Sequence, residues 1–435
     1  MPLTEKDSSR LPDGFEIGIV QSDEEINELI DFNAAIHNRN DAEVLRRLID
    51  KLPDFSPEMN FYVRDTDKDI IVSSLNAIPS TWDYDGVLLK NLELGYVGTK
   101  EEYRRRGFMR ILYQLFEKIM LDGGYDISTI QGIPYLYRNF GYDFILPLSK
   151  AVSIRVDQIP SEDTSFPSAV SDITIRESRT EDLDSIMNLY DRTREKFLVT
   201  ARRSEQIWNL QERLKKEYAA DFKSLVVEGD GDIRGYFRLV TRGDSSKPEG
   251  GAVLDVMESS IVSYEGVLAT LRYLREDAVS KGLYRIALPG SELSNLAGIA
   301  LDLGGNMNRG WKYQIRVPNM LQFLQKIKPV LDKRLKGTMF QDLSYTLALN
   351  TYRYCYDLEI TNGSIVGISD SGQSKIGEKT DFRVPPKDFV RLVMGEYQLA
   401  ELSKMNADFL VSGKVKSLVS SLFPQKESNI SYYLC

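Results

Sequence analysis

The sequence predicts an α/β protein made of a repeated unit and closed by an α+β segment. Three observations carry that expectation. FEIGIVQSDEEINELIDFN (15–33) and ITIRESRTEDLDSIMNLYD (173–191) share one layout, a short strand followed by an acidic helix start. They stand about 155 residues apart, the signature of an internal duplication. Both halves continue as strands alternating with helices, which predicts mixed sheets flanked by helices. Beyond Val317 the pattern changes to a sheet followed by helices, an α+β layout.

The elements follow in order. DQIPSEDTSFPSAVSD (157–172) is rich in Pro, Ser and Asp and reads as a linker. The expected division is therefore 1–156, a linker at 157–171, a second unit at 172–318 and a third at 319–435. In the third, VPNMLQFLQKIKPVLDKRL reads as one amphipathic helix. LSYTLALN and YDLEITNGSIVGI read as strands, and Asn362-Gly363 marks a two-residue hairpin. KDFVRLVMGEYQLAELSKM and SGKVKSLVSSLFP complete it as helices.

Bulk chemistry narrows the function. A formal net charge of -9 disfavours nucleic acid as a partner. One histidine, His37, rules out a two-histidine zinc site, and in AAIHNRND it reads as an ordinary surface or helix-end residue. Two cysteines, Cys355 and Cys435, are too few for a thiolate cluster, so no metal is expected. MPLTEKDSSR lacks an apolar signal region, and no run approaches the ~18 apolar residues of a membrane span. The expected compartment is the cytoplasm.

The most informative stretch is YRRRGFMRILYQ (103–114). Leu92, Leu94 and Tyr96 alternate with polar or small residues, as in a strand. Phe108, Ile111, Leu112, Leu115, Phe116 and Ile119 then fall at helical spacing, and Gly123-Gly124 ends the helix. Three arginines ahead of a helix oppose its dipole unless an anion neutralises them. A strand, a basic glycine turn and a helix together present free N–H groups, the positive dipole end and guanidinium groups to a phosphate. Gly107 lets the backbone approach closely. The bland alternative is a solvated basic turn.

LGYVGTKEEYRRRGFMRILYQ resembles the acetyl-CoA-binding motif of the GCN5-related N-acetyltransferase (GNAT) superfamily, Arg/Gln-x-x-Gly-x-Gly/Ala, through Arg104 and Gly107. Met109 replaces the usual small residue, as the Eis-like (enhanced intracellular survival) branch tolerates. The resemblance implies tandem GNAT-like domains followed by a sterol-carrier-protein-like domain. It implies that Arg104, Arg105, Arg106, Gly107, Phe108 and Met109 hold the pyrophosphate of acetyl-CoA. Backbone groups of Tyr96, Val97 and Thr99 would align the pantetheine and the acetyl carbonyl.

After the strand ISTIQG, the run Tyr137-Arg138-Asn139-Phe140-Gly141-Tyr142 fits the Eis-like Tyr-x-x-Phe-Gly-Tyr pattern. Pro134 and Gly141 frame a short helix. Tyr137 is the implied general acid, while Tyr135 and Tyr142 read as structural. The middle unit offers Ser263-Tyr264-Glu265-Gly266 where the arginines would stand, an acidic start that repels a pyrophosphate. The resemblance makes it a degenerate GNAT domain. The chain ends ISYYLC, and by the same resemblance the α-carboxylate of Cys435 acts as base.

The expected activity is acetyl transfer from acetyl-CoA to a primary amine of aminoglycoside, polyamine or lysine type, on a small molecule or peptide, by direct attack. The resemblance implies a homo-hexamer. A rival is a non-catalytic acyl-CoA or lipid-binding sensor.

Overall fold

The structure, a computed structural model, describes residues 11–148, 150–161, 172–218, 221–243, 251–291, 293–374 and 380–430. The chain folds as two compact units, one of 1–146 with 313–428 and one of 147–312 with 429–435.

Strands β1 (Phe15–Ile19), β2 (Asn60–Asp65), β3 (Ile70–Tyr84), β4 (Val87–Thr99), β5 (Ile127–Ile130) and β6 (Asp143–Pro147) come from the first part of the chain. Next come β7 (Ala151–Arg155), β8 (Ile173–Glu177), β9 (Val199–Arg202), β10 (Lys223–Gly229) and β11 (Asp232–Arg242). They are followed by β12 (Val253–Ile261), β13 (Arg285–Pro289), β14 (Asn306–Asn308) and β15 (Lys312–Arg316).

In the first unit the strand order is β1-β2-β3-β4-β5-β15-β6. The helix Asp23–Ile36 starts where the sequence places it. Ser22 Oγ accepts from the Glu25 N–H at 3.2 Å, and Glu25 reaches back to the Ser22 N–H, a full capping box. β3 and β4 form a long hairpin closed by Asp85-Gly86, whose φ angles of 51° and 98° suit the right-handed twist of the strands.

The helix Phe108–Asp122 buries Phe108, Leu112, Tyr113, Leu115, Phe116 and Met120. They join Leu92, Leu94 and Ile130 of the sheet in one core. Ile111 and Ile119 of the predicted stripe lie at its margin. The helix closes as expected: Gly124 takes φ 61°, and the Tyr125 N–H returns to the Met120 carbonyl at 3.1 Å.

The same unit contains a third sheet built from β16 (Tyr345–Asn350), β17 (Tyr354–Thr361), β18 (Ser364–Gln373), β19 (Phe382–Arg383) and β20 (Leu410–Val411), in the order β18-β17-β16-β19-β20. Asn362 and Gly363 both take positive φ in the β17–β18 hairpin, as their sequence requires. The single helix expected at 317–335 is instead two, Met320–Lys326 and Lys328–Leu335. Pro329 explains the break, since it has no N–H to continue the ladder and suits the first turn of a new helix.

Tyr84 ties this sheet's helices to the first domain. Its buried hydroxyl donates to the Val393 carbonyl at 2.6 Å, and its ring meets Phe323 edge-on. Asp143 pairs with Arg391 at 2.5 Å, and Asp85 accepts from Lys426 at 2.8 Å.

In the second unit the order is β14-β7-β13-β12-β11-β10-β8. Strands β8, β10, β11, β12 and β13 follow one another as β1 to β5 do in the first. The penultimate position is filled by β7 here and by β15 there, so each sheet completes itself with a strand from the far side of the duplicated segment in sequence. β12 and β13 are its parallel pair, with Leu254 opposite Ile286 and Asp255 opposite Ala287. Within the expected linker, Val156–Gln158 forms a short 3-10 turn, while 162–171 lies outside the described residues.

Replacing Tyr84 with Phe strands the Val393 carbonyl in a dry interior, a cost of about 1–3 kcal/mol. Chemical denaturation followed by circular dichroism is expected to show that loss with an unchanged m-value.

Candidate functional site

The site begins where β4 and β5 part. Their parallel pairing covers Asn91↔Ile127, Leu92↔Ser128 and Glu93↔Thr129, yet β4 runs on to Thr99. Over that stretch β4 also breaks step with β3. Asn76 faces Gly95 while Ser74 faces Gly98, so Tyr96 and Val97 together oppose one residue. Tyr96 takes φ 44°, a left-handed conformation costly for an aromatic residue. This bulge turns the backbone of Tyr96 and Val97 out of the ladder, and both are only partly buried. Thr99 is tied back through its hydroxyl to Ser73 Oγ at 2.8 Å.

The basic turn follows directly. Glu101–Tyr103 makes a 3-10 turn, and buried Tyr103 donates to Asp65 at 2.8 Å, fixing the loop to the sheet. Arg104, Arg105 and Arg106 are exposed. Arg104 Nε donates to the Thr99 carbonyl at 3.4 Å. Arg106 lies over the rings of Phe15 and Tyr103, at 5.6 and 5.1 Å from their centroids. Arg105 has no ion pair among the described residues.

Gly107 is the residue before the helix. It takes φ 87°, and no side chain caps the N–H groups behind it. A Cβ built on Gly107 would meet nothing within 4 Å. Positive backbone ends, three guanidinium groups and open space thus meet at one exposed turn, the arrangement a pyrophosphate requires. Phe108 is buried as an anchor and Met109 packs partly on the core, so the large residue is accommodated as packing rather than in the turn itself.

Tyr137 sits in the 3-10 helix Leu136–Phe140, which Gly141 ends at φ 87°. Its ring lies flush on Gly132, where a Cβ would come within 2.2 Å of it. The ring is buried, and its hydroxyl has no hydrogen-bond partner among the described residues. Burial raises its pKa to about 12, so it stays protonated at neutral pH. Tyr142 is structural as expected: buried, it meets Ser128 Oγ at 2.7 Å. Tyr135 is not a packing residue, being 73% exposed.

One residue escaped the sequence reading. Glu93 stands at the last paired position of β4, almost fully buried, and accepts from Gln131 Nε2 at 3.0 Å. Burial raises its pKa from 4.5 to about 7, only partly offset by that hydrogen bond. Gln131 precedes the Gly132 on which Tyr137 rests, so acid and phenol flank one strand end. The available signal was a lone Glu in an otherwise apolar strand, LELGYV.

Cys435 lies outside the described residues. The chain leading to it is fixed as far as Asn429, whose N–H donates to the Val199 carbonyl of β9 at 3.0 Å. In the second unit the helix Tyr264–Ser280 is capped by its own Ser263, whose Oγ accepts from the Gly266 N–H at 3.0 Å. Its first turn carries Glu265 and no arginine, so nothing there matches the first unit's basic turn. His37 caps the helix Asp23–Ile36, as its sequence predicts. Among the described residues no cluster of His, Cys, Asp and Glu could hold a metal, and no helix is long and apolar enough to cross a membrane.

The sequence profile of the acetyltransferase (GNAT) domain matches residues 20–145, the span from the end of β1 to β6. This chain carries a GNAT acetyltransferase domain. No curated protein matches it by sequence. Among solved structures it is similar to a GCN5-related N-acetyltransferase from Anabaena variabilis, with a TM-score of 0.69. It is also similar to a probable N-acyltransferase from Enterococcus faecalis, at 0.71, and to Eis1 from Mycobacterium abscessus, at 0.61. Each is 14% identical, and each match covers 96% of this chain and 99% of the other. The fold is shared with these proteins, Eis1 among them, along nearly the whole length of the chain. GNAT domains use acetyl-CoA as co-substrate, and the basic turn fits its diphosphate.

A Gly107→Ala change has two separable effects. The strained φ costs about 1 kcal/mol of stability, and the added methyl enters the space in front of the helix. Isothermal titration is expected to show acetyl-CoA affinity falling roughly tenfold, the loss of about one charge-assisted hydrogen bond.

Proposed function

We propose that this protein is an amine N-acetyltransferase that forms a ternary complex with acetyl-CoA. The observation carrying the reading is the joint placement of an uncapped basic turn, a bulged strand and a partnerless tyrosine hydroxyl in one unit. Arg104, Arg105 and Arg106, with the N–H groups behind Gly107, hold the diphosphate. The bulge at Tyr96 and Val97 lays the pantetheine arm along β4 and offers N–H groups to the acetyl oxygen. The second unit is a degenerate GNAT domain without a cofactor, and the third a sterol-carrier-like cap. A hexamer and a cytoplasmic location extend the same reading.

The acceptor nitrogen attacks the thioester carbon, forming the C–N bond, and the C–S bond then breaks. The departing thiolate takes the proton of Tyr137, and the proton that the acylated nitrogen gives up as it becomes an amide restores the phenol. The ammonium proton must first leave to a carboxylate, because a protonated amine has no lone pair. Two carboxylates are candidates. The α-carboxylate of Cys435 is the one the Eis-like resemblance implies. Its ordinary pKa of about 3.3–3.7 makes it a weak base at neutral pH unless burial raises it. Glu93, with its pKa near 7, is the better matched of the two.

Tyr137→Phe is expected to lower kcat about 10²–10⁴-fold with acetyl-CoA affinity retained. Thiol release from acetyl-CoA over a panel of amines measures it. An unaffected variant removes Tyr137 as the acid, and binding of acetyl-CoA without thiol release from any amine supports the sensor reading.

The sign of the Glu93 effect is fixed. Only its ionised form accepts a proton, so kcat/KM rises with pH through about 7. Glu93→Gln abolishes that limb, whereas removal of Cys435 abolishes it only if the terminus is the base. Because the folded pKa is raised, Glu93 favours folding below pH 4.5 and that contribution is lost as pH rises through about 7. Glu93→Gln is therefore more resistant to denaturant than wild type at pH 8, but not at pH 4.

A further inference from the structure

Nothing at its tip aims Tyr137. Its hydroxyl has no hydrogen-bond partner among the described residues, so the packing of its ring sets the direction of the phenol. One wall of that packing is Gly132, where a Cβ would lie 2.2 Å from the ring. Tyr142 meets the ring edge-on, with centroids 6.4 Å apart. The aim of the hydroxyl therefore depends on where the Gly132 peptide lies.

Strand pairing does not fix that peptide. β5 ends at Ile130, whose rung with Gln314 of β15 is the last of the ladder. Beyond it the side chain of Gln314 takes over. Its Nε2 donates to the Gly132 carbonyl at 2.9 Å and to the Ile133 carbonyl at 3.4 Å. Both amide protons are thus used on consecutive carbonyls, and a flipped amide would set Oε1 against them. Gln314 is fully buried, and its Oε1 has no partner among the described residues. An acceptor buried in that way lowers stability, and an apolar side chain of the same size would avoid the loss. What the amide contributes is placement.

Arg316 lies two residues on along β15 and so on the same face of the sheet. It braces the other end of the Tyr137 helix. A Cβ built on Gly141, which ends that helix, would meet Arg316 Cδ and Nε at 3.6 Å. The guanidinium donates to the Tyr113 hydroxyl and to Glu117 of the helix Phe108–Asp122. Tyr113 in turn donates to the Phe140 carbonyl at 3.3 Å. One face of β15 thus brackets Tyr137, with Gln314 before it and Arg316 after it.

We infer that Gln314 is a positioning residue for acetyl transfer: by holding the Gly132 and Ile133 carbonyls it seats the Tyr137 ring and aims its hydroxyl at the departing sulfur. The inference rests on the acetyltransferase reading with Tyr137 as acid. It adds a residue that stands more than a hundred positions from every motif of the first domain, on a strand that follows the second unit in sequence.

The test is a double-mutant cycle on the full chain. Thiol release from acetyl-CoA is followed with spermidine, kanamycin and a lysine peptide, and the fastest acceptor is used throughout. Gln314→Met keeps the size of the side chain and removes both donors. It is expected to lower kcat about 10–100-fold, as a small misplacement of a reacting group does, with acetyl-CoA affinity unchanged in calorimetric titration. In the Tyr137→Phe background the same change is expected to cost nothing further, because the hydroxyl it aims is gone. Gly132→Ala, which pushes the ring off its seat, is expected to behave in the same way in both backgrounds. Losses that multiply in the double variants, or a Gln314→Met enzyme with wild-type kcat, overturn the positioning role and leave acetyl transfer standing. A fall in acetyl-CoA affinity as large as the fall in kcat also overturns it, since Gln314 then supports the fold alone. Wild-type chain that binds acetyl-CoA and releases no thiol with any amine overturns both.

Discussion

The early parting of β4 from β5 is the constraint on which the rest of the site depends. Two parallel strands that remain paired expose no main-chain donors. Here the ladder stops at Glu93 and Thr129, and β4 continues alone with a bulge at Tyr96. The unpaired backbone must find partners or face solvent. In the proposed function, an extended amide-bearing ligand arm supplies them as an added strand would. The bulge, the positive φ of Tyr96 and the placement of Glu93 at the last rung then belong to one device.

The surrounding packing keeps that gap open without collapse. Helix Phe108–Asp122 covers one face of the sheet through Leu112, Leu115 and Phe116, so the basic turn ahead of it is rigidly placed. Tyr103 anchors the turn from below by its bond to Asp65. β15 completes the sheet beyond β5, with Gln314 opposite Ile130 and bonded to the Gly132 carbonyl. A segment that follows the second unit in sequence therefore supports the strand end on which Tyr137 rests. The second sheet has β7 at the equivalent, penultimate position.

Much of this was legible in the sequence because it is local. The capping box at Ser22, the glycine stop after Asp122 and the Asn362-Gly363 hairpin are each dictated by residues within one turn of one another. The basic turn was legible for the same reason, whereas Tyr137 was singled out by a family pattern and is found buried against Gly132. What the sequence concealed is non-local. The exchange of β7 and β15 depends on pairing across about 185 residues for β15 with β5 and about 135 for β7 with β13, which no periodicity records. Glu93 reads as a polar residue on a half-exposed strand until the sheet buries it. The turn at Ile133–Leu136 reads as part of a short helix because Tyr135 takes a positive φ that its residue type disfavours. The break at Pro329 was visible but outweighed by the long amphipathic stripe.

Calorimetric titration of acetyl-CoA into the wild-type chain and the Arg104→Glu/Arg105→Glu variant tests the central claim most directly. Binding to the wild type that weakens at least tenfold in the variant, and declines with added salt, is the predicted result. Equal affinity in the two proteins would contradict the account, because the diphosphate would then lie elsewhere.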